Sequence, residues 1–187
     1  MEGEGCARVA GSGREKDRAR RLLRMEIRRA HAGDVEGLAA QMKAVVDEGR
    51  LLRTESDCTE EELAEMWRSG LEKGHIIYVL ERGDRIVGEI NIDPTEVQGV
   101  HALGMCILAE FRGQGWGRRM VEAALHEAQA REIRKVELEV FPDNGRAIAL
   151  YVSLGFEVEG IRRDHYARLD GSVRSAVLMA RLLSSDG

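Results

Sequence analysis

The chain has 187 residues, of which 28 are Lys or Arg and 33 are Asp or Glu, so its formal net charge is -5. This length suits one domain with a substantial core, and the sequence contains neither a run of eighteen apolar residues that would span a membrane nor an N-terminal apolar segment typical of a secretory signal. The three cysteines, Cys6, Cys58 and Cys106, form no C-x-x-C pair, which fits a reduced, cytoplasmic protein better than a zinc site or a disulfide framework.

The first 24 residues differ in character from the rest of the chain. They combine four glycines with a charged run, Arg14 to Arg24, that has almost no apolar periodicity. This composition predicts a flexible tail over residues 1–24 and one folded domain over residues 25–187. The tail carries a formal charge of +3, which leaves -8 for the domain. An acidic domain offers no general surface for nucleic acid and attracts cationic substrates such as amines.

The domain begins with one predicted strand and two predicted helices. Residues 25–30 form the strand, and Asp34 is expected to cap the first helix. The buried side of this helix carries Val35, Leu38, Met42, Val45 and Val46. After an irregular polar segment, residues 51–57, the pair Thr59 and Glu62 has the spacing of a capping box. The second helix that it starts has an apolar face of Leu63, Met66, Trp67 and Leu71.

Three antiparallel strands are predicted next. Residues 76–82 and 85–91 flank Gly83-Asp84, a two-residue connection suited to a hairpin. Residues 101–108 follow after a turn and form the third strand. Such a meander differs from the dinucleotide-binding fold, in which a glycine turn follows the first strand of a parallel unit.

A glycine-rich turn and a long amphipathic helix come directly after the third strand. The turn reads Arg112-Gly113-Gln114-Gly115-Trp116-Gly117, with Arg118 and Arg119 beside it. Glycines let the backbone approach a ligand closely, and the N–H groups of a first helical turn point at an anion. The turn is therefore predicted to bind a phosphate-bearing cofactor. The helix buries Met120, Val121, Ala124, Leu125 and Ala128.

The remaining elements complete one α/β domain. Residues 135–141 alternate as a strand that should lie parallel to residues 101–108, because a helix joins the two. A short helix then carries Ala147, Leu150, Tyr151 and Leu154 on one face and ends at Gly155. Residues 156–163 and 172–182 are the last strands. The predicted sheet is thus mixed and mostly antiparallel, with helices on both faces.

Three other interpretations of the glycine turn fit the sequence less well. The P-loop pattern requires Lys followed by Ser or Thr after the last glycine, and this is absent. Gly113, Gly115 and Gly117 approach the dinucleotide fingerprint, with Glu137 or Glu139 near the place of a ribose-binding acid, but the spacing is G-x-G-x-G. A plain strand-to-helix turn is the third interpretation. The pattern Arg-x-x-Gly-x-Gly, formed by Arg112, Gly115 and Gly117, fits better than any of these.

With this pattern the sequence resembles the GNAT superfamily of N-acetyltransferases. A second stretch, Asn144-Gly-Arg-Ala147-Ile-Ala-Leu150-Tyr151 followed by Gly155-Phe156, is similar to another motif of that family. The segment from Glu159 to Met179 resembles the branch of ribosomal-protein and amino-acid N-acetyltransferases. The resemblance implies a GNAT-like fold in which the central parallel pair of strands splays around acetyl-CoA, and it requires no metal.

The resemblance also assigns residues to the cosubstrate. Backbone groups of Met105, Cys106 and Ile107 would bind the pantetheine arm, freed from the ladder by a bulge. The pyrophosphate would be held by Arg112, Gly113, Gln114, Gly115, Trp116, Gly117 and Arg118. Asn144 and Ala147 would line the opposite wall.

The implied reaction moves an acetyl group directly to a primary amine, and this chemistry needs an acid and a base. Tyr151 is the expected acid, since a phenol with a pKa near ~10 is protonated at neutral pH. Glu89 and Glu139 are the two candidates for the base, and either could act directly or through a water molecule. His101 has a suitable pKa range but stands at the start of its strand.

The acceptor is expected to be a small amine, an amino acid or a protein N-terminus. A non-catalytic sensor or docking module that binds acyl-CoA with the same fold is the alternative. A nucleotide-binding oxidoreductase is a third and weaker interpretation. No nucleic-acid or membrane partner is expected, and an exposed last strand would allow a homodimer.

Overall fold

One seven-stranded sheet organises the chain. The computed structural model describes residues 24–49 and 57–183. The strands are β1 (Met25–Arg29), β2 (Ile76–Arg82), β3 (Arg85–Pro94), β4 (Val100–Ile107), β5 (Lys135–Val140), β6 (Glu157–Ala167) and β7 (Val173–Leu182). Their order in the sheet is β1-β2-β3-β4-β5-β7-β6. All neighbours are antiparallel except β4 and β5, which are parallel. The predicted fold class is confirmed.

Four helices cover the two faces of the sheet. They are α1 (Val35–Val46), α2 (Glu60–Glu72), α3 (Trp116–Ala130) and α4 (Gly145–Ser153). Helices α1 and α2 pack on Ile77 and Val79 of β2, whereas the apolar face of α3 belongs to the core that contains Ile76 and Leu80. Because side chains alternate between the faces of a strand, α3 lies on the face opposite α1 and α2. All five apolar residues predicted for the buried side of α3 are buried.

The two predicted helix caps have different outcomes. Thr59 and Glu62 form the expected capping box, in which Thr59 Oγ1 accepts from the Glu62 N–H at 3.2 Å. Asp34 instead turns away from α1 and accepts two hydrogen bonds of 2.8 Å from Arg28. Asp34 stands at the N-cap position of α1, but its side chain makes no cap hydrogen bond, because Arg28 of β1 and the His31 N–H hold its carboxylate. The prediction that Met66 lies on the buried face of α2 was also wrong, since this residue is 45% exposed.

Several sequence predictions fall outside these ranges or remain untested. Residues 1–23 and 50–56, which include most of the predicted tail and of the polar segment, lie outside the described residues. The division into a tail over residues 1–24 and a domain over residues 25–187 stays a prediction. None of the four described helices has the length and apolar character needed to cross a membrane.

Candidate functional site

Strands β4 and β5 separate part-way along their length. They pair only from Val100 opposite Lys135 to Ala102 opposite Glu137. Beyond Ala102, β4 continues to Ile107 and β5 to Val140 without pairing with each other. The last residues of β4, Met105, Cys106 and Ile107, therefore border an opening in the sheet. The splayed pair that the resemblance implied is confirmed.

The opening is not made by a bulge on β4. The register between β3 and β4 runs without interruption from Gly88 opposite Ile107 to Pro94 opposite His101. The nearest irregularity lies between β2 and β3, where the register shifts after Leu80. The bulge expected on β4 was therefore wrong. Divergence from β5 itself releases backbone groups of β4 from the parallel ladder.

The glycine turn ends at the N-terminus of α3, beside this opening. Gly113 and Gly115 have φ angles of 74° and 84°, a left-handed conformation that favours glycine. Gly115 is the N-cap of α3, and no side chain caps the first-turn N–H groups. A Cβ at Gly117 would lie 3.3 Å from Leu150 and 3.5 Å from Met105, so the absence of a side chain lets α3 approach both α4 and β4. Uncapped N–H groups in a cradle of glycines fit a diphosphate.

Arg112 holds the turn in place. Its guanidinium donates two hydrogen bonds of 2.7 Å to Glu48, at the end of α1, and its Nε donates to the Ile107 carbonyl at 2.6 Å. In this arrangement the guanidinium is engaged by protein groups. Arg112 thus fixes the turn that would bind phosphate, and its predicted role in binding the cosubstrate stays a prediction.

The other predicted side chains surround the turn. Gln114 donates to the Glu110 carbonyl at 2.9 Å, and Arg118 donates to Ser153 Oγ on α4 at 2.6 Å. The guanidinium of Arg119 stacks 4.7 Å from the ring of Trp116. These contacts fix the first turn of α3, whose N-terminus has no side-chain cap.

Helix α4 forms the opposite wall. Asn144 caps it, with Oδ1 accepting from the Ala147 N–H at 3.2 Å. Arg146, which the sequence predictions missed, extends toward the glycine turn: its Nη1 lies 3.6 Å from the position of a Cβ at Gly113. An exposed arginine at the start of a helix has no local signal that separates it from ordinary surface charge.

Tyr151 is buried on α4, with its ring edge-on to Phe156 at 5.5 Å between centroids. Burial, together with the proximity of Glu89 and Cys106, raises the pKa of Tyr151 above its ordinary value. The phenol therefore stays protonated across the physiological range and retains a proton to donate.

Glu89 lies in a buried polar cluster on the α1 face of the sheet. The Cys106 thiol donates to Glu89 Oε1 at 3.2 Å, and Gln41 Nε2 of α1 donates to Cys106 Sγ at 3.3 Å. Glu89 Oε2 is fully buried and has no hydrogen-bond partner in the part of the chain that the structure describes. Burial raises the pKa of Glu89 to about 8. Gln41 was missed by the sequence predictions, although a polar residue among the apolar positions of α1 was a usable signal.

Cys106 is a protonated thiol in this cluster. Burial is the main cause that raises its pKa well above the ordinary value, and the neighbouring Glu89 adds to the shift. A thiol that remains protonated is a poor nucleophile. The protonated state of this thiol favours direct transfer over an acetyl-cysteine intermediate.

Both carboxylate oxygens of Glu139, the second predicted base, are paired with side chains of the protein. Its Oε1 lies 3.0 Å from Arg162 Nη1, and its Oε2 accepts from the Tyr166 hydroxyl, both groups being on β6. His101 pairs with Val136 in the closed part of the ladder, and burial lowers its pKa. The structure thus places Glu89 near Tyr151 and ties Glu139 to the β6–β7 hairpin.

A metal site is not evident in residues 24–49 and 57–183. No group of three or more His, Cys, Asp or Glu side chains there is arranged to hold a metal ion. The prediction that the reaction needs no metal rests on the chemistry of the residues.

The family to which the chain belongs follows from comparison with known proteins. The family model described as the acetyltransferase (GNAT) family matches residues 43–156. This segment contains both the opening between β4 and β5 and the glycine turn. The chain belongs to the acetyltransferase (GNAT) family, and the sequence resemblance is confirmed.

Curated relatives carry N-acetyltransferase names. The chain is 34% identical over 107 residues to the ribosomal protein bS18-alanine N-acetyltransferase of Haemophilus ducreyi, a match that covers 50% of this chain and 74% of the relative. It is 40% identical over 75 residues to the enzyme of the same name from Escherichia coli, covering 40% of this chain and half of that relative.

Solved structures have the same fold. An acetyltransferase of the GNAT family from Streptococcus pneumoniae superposes with a TM-score of 0.75 at 25% identity, covering 86% of this chain and all of the other. A phosphinothricin acetyltransferase from Sinorhizobium meliloti, solved in complex with acetyl-CoA, gives 0.76 at 21% identity and covers 86% and 89% of the two chains.

The family assignment confirms the predicted enzyme class, an acetyl-CoA-dependent acetyltransferase. The residues around the opening and the turn fit this cosubstrate, because they offer unpaired strand edges beside an uncapped helix N-terminus. The meander that precedes the turn is inconsistent with the dinucleotide-binding interpretation. The named relatives give no support to the non-catalytic sensor.

Proposed function

We propose that this protein transfers an acetyl group from acetyl-CoA directly to a primary amine, and that the amine is the N-terminus of a protein or peptide. The observation that carries the proposal is the opening between β4 and β5, because Met105 at its edge lies beside the uncapped first turn of α3 and Cys106 at its edge contacts the buried Glu89. The names of the bS18-alanine relatives support a peptide amine over a free amino acid or a small amine. The unpaired cysteines Cys58 and Cys106 support a cytoplasmic location.

The chain's own residues would hold the cosubstrate in a fixed direction. First-turn N–H groups of α3, with Arg146 beside Gly113, would receive the diphosphate. Backbone groups of Met105, Cys106 and Ile107 would take the pantetheine arm in place of the missing β5 pairing. Asn144 and Ala147 would form the other wall through the cap of α4.

The transfer requires one C–N bond to form and one C–S bond to break. The neutral amine nitrogen attacks the thioester carbonyl, and a backbone N–H of β4 near Ile107 polarises the carbonyl oxygen. Tyr151 gives its proton to the departing sulfur, and Glu89 takes the proton that the amine loses. We assign the base to Glu89 because it has a free buried oxygen near Tyr151, whereas both oxygens of Glu139 are occupied.

The acceptor end of the site carries both signs of charge. Glu48 is paired with Arg112, and Arg162 is paired with Glu139. The β6–β7 hairpin that contains Arg162 is thereby fixed to β5 at the edge of the opening. We expect this hairpin to contact the residues that follow the acceptor amine.

The test is acetyl-CoA turnover, followed as free thiol release and by mass spectrometry of the acceptor. The panel holds alanine-initiated peptides, the same peptides with a blocked N-terminus, free amino acids and small diamines. Thiol release with mass gain on free N-termini alone supports the proposal. Turnover only with free amino acids or diamines refutes the peptide acceptor, and binding of acetyl-CoA without any turnover refutes the enzyme.

A further inference from the structure

Strand β6 forms an exposed edge of the sheet. It stands at the end of the strand order, and β7 is the only described strand that pairs with it. The last strand of the chain, β7, which was expected to be the exposed one, lies instead between β5 and β6. Almost every residue of β6 is exposed. An edge of this length presents unpaired backbone N–H and C=O groups that can pair with a further strand.

The register of β6 on β7 fixes the face of the sheet on which each residue lies. Val158 and Ile161 pair with odd-numbered residues of β7 and lie on one face. Glu157, Gly160 and Arg162 pair with even-numbered residues and lie on the other face. One extra residue shifts the register between Val158 and Gly160, so Val158 and Ile161 each stand one step along the ladder from Gly160. Glu157 and Arg162 each stand two steps from it, in opposite directions.

This pattern is complementary to itself. When a second copy of β6 is placed antiparallel on the free edge, with Gly160 facing Gly160, each Val158 faces the other copy's Ile161. Each Glu157 then faces the other copy's Arg162, and the two members of every facing pair lie on the same face of the sheet. Facing apolar residues and facing opposite charges both stabilise an antiparallel ladder. We propose that two copies of this chain associate through β6 about a two-fold axis at Gly160, so that their sheets become continuous.

The side chains that would pair are available in the single chain. Val158 is 56% exposed and Ile161 is 58% exposed, so a facing copy would remove apolar surface of both residues from water. Glu157 is exposed and has no ion-pair partner in residues 24–49 and 57–183. The edge thus offers apolar surface and an unused charge at the positions where a second copy supplies their counterparts.

Charged side chains commonly protect an edge strand from pairing, but those of this stretch turn back over their own sheet. Glu159, the extra residue at the register shift, accepts a hydrogen bond of 2.7 Å from Lys135 of β5. Arg162 lies 3.0 Å from Glu139, which is also on β5. Both side chains therefore reach across β7 and away from the free edge. Gly160 has no side chain, which lets another backbone approach closely at the centre of the contact.

The pairing would also reach the candidate site. Arg162 holds the β6–β7 hairpin to Glu139 beside the opening. Because a guanidinium group has five N–H donors, Arg162 can bond to Glu157 of the second copy and keep its contact with Glu139. Each copy would then help to fix the hairpin of the other. The association itself does not depend on the proposed function, since it uses neither acetyl-CoA nor an acceptor.

The test measures self-association of the full chain by sedimentation, from micromolar to submillimolar concentrations. Wild type is compared with Glu157→Arg, with the double variant Glu157→Arg/Arg162→Glu, and with the control Glu96→Arg, which makes the same change of charge at an exposed position between β3 and β4. A second test introduces Gly160→Cys and follows disulfide cross-linking under mild oxidation. Its control is Val97→Cys, because Val97 is 59% exposed and lies far from β6 in the sheet order. Melting temperatures check that each variant folds.

We expect wild type and Glu96→Arg to form a dimer as concentration rises. Glu157→Arg should weaken the dimer about tenfold, because arginines then face each other twice across the axis, and the double variant should associate more tightly than Glu157→Arg. Gly160→Cys should give a covalent dimer, since facing Cα atoms of antiparallel strands lie about 4.5–5.5 Å apart and suit a disulfide. Val97→Cys should not.

A wild type that stays monomeric at the highest concentration would overturn the proposal. A dimer that Glu157→Arg leaves unchanged, or the absence of the cross-link at Gly160→Cys, would also overturn it. In each case the proposed function stands, because acetyl transfer is measured separately.

Discussion

Glu89 and Cys106 lie directly opposite each other on β3 and β4, with the thiol 3.2 Å from a carboxyl oxygen. Each is buried, and each has its pKa raised mainly by that burial. The pair stands where β4 borders the opening and where Tyr151 approaches from α4. Both groups are therefore neutral at neutral pH, and Glu89 acts as a base only as it ionises.

The raised pKa of Glu89 predicts a loss of stability as pH rises. The folded state holds this proton up to about pH 8, whereas the unfolded chain releases it near ~4.3. The contribution of Glu89 is most favourable below the unfolded pKa, decreases between the two values and is constant above pH 8. Since one pKa unit corresponds to roughly 1.4 kcal/mol, the total change is a few kcal/mol at most.

Glu89→Gln should remove this dependence. Urea denaturation at pH 5 and at pH 8.5 gives the free energy of unfolding of each protein. The variant should gain stability relative to wild type at the higher pH, by about 2 kcal/mol or more. If the difference in free energy of unfolding between wild type and variant is the same at both pH values, the pKa of Glu89 is not raised in the folded state.

Tyr151→Phe should lose about a hundredfold in kcat with little change in KM for acetyl-CoA. The ring and its edge-on contact with Phe156 are kept, so only the proton donor is removed. Steady-state thiol release measures the effect, and a thermal melt of the variant checks the fold. A kcat within twofold of wild type would assign Tyr151 to packing alone.

Gly117→Ala should weaken acetyl-CoA binding roughly tenfold, because overpacking of this size costs about 1–3 kcal/mol. The new methyl group would press on Leu150 at 3.3 Å and separate α3 from α4. Gly145→Ala is the matched control, since a Cβ there meets nothing within 4 Å. Calorimetric titration should show weaker binding for the first variant only; equal affinities would contradict the close approach at Gly117.

The pair of Arg112 and Glu48 should couple α1 to the glycine turn. Arg112→Lys cannot reproduce the two parallel hydrogen bonds of the guanidinium. We expect it to lower stability by about 1 kcal/mol and to weaken acetyl-CoA binding, and Glu48→Gln should have a similar effect. In a double-mutant cycle the two changes should be non-additive. Strict additivity would mean that Arg112 acts on the cosubstrate without Glu48.

Local patterns predicted the elements of this fold well. The spacing of apolar residues gave the buried face of α3, and the helix between β4 and β5 gave their parallel pairing. The hydrogen-bond partners of side chains were predicted poorly. Asp34 was expected to cap a helix and bonds to Arg28, and the pairing of Arg112 with Glu48 was not predicted. Both partners come from other elements, so no local pattern contains them.

The candidate site shows the same limit. The glycine motif predicted the turn that lies beside the opening, but two acidic residues looked equivalent as bases. Only the register of β3 on β4 shows that Glu89 faces Cys106, and only the β6–β7 hairpin shows that Glu139 is occupied. The position of Gln41 relative to the site can be recognised only after the strands and α1 are assembled, because its neighbours come from other elements.

The central claim is that the opening between β4 and β5, with the first turn of α3, holds acetyl-CoA. The most direct test is the melting temperature of the protein with acetyl-CoA and, separately, with NAD. Acetyl-CoA at about a hundred times its Kd should stabilise the fold by roughly 2.7 kcal/mol, which raises Tm by about 5–10 °C. NAD should leave Tm unchanged. A rise with NAD and none with acetyl-CoA would contradict the account.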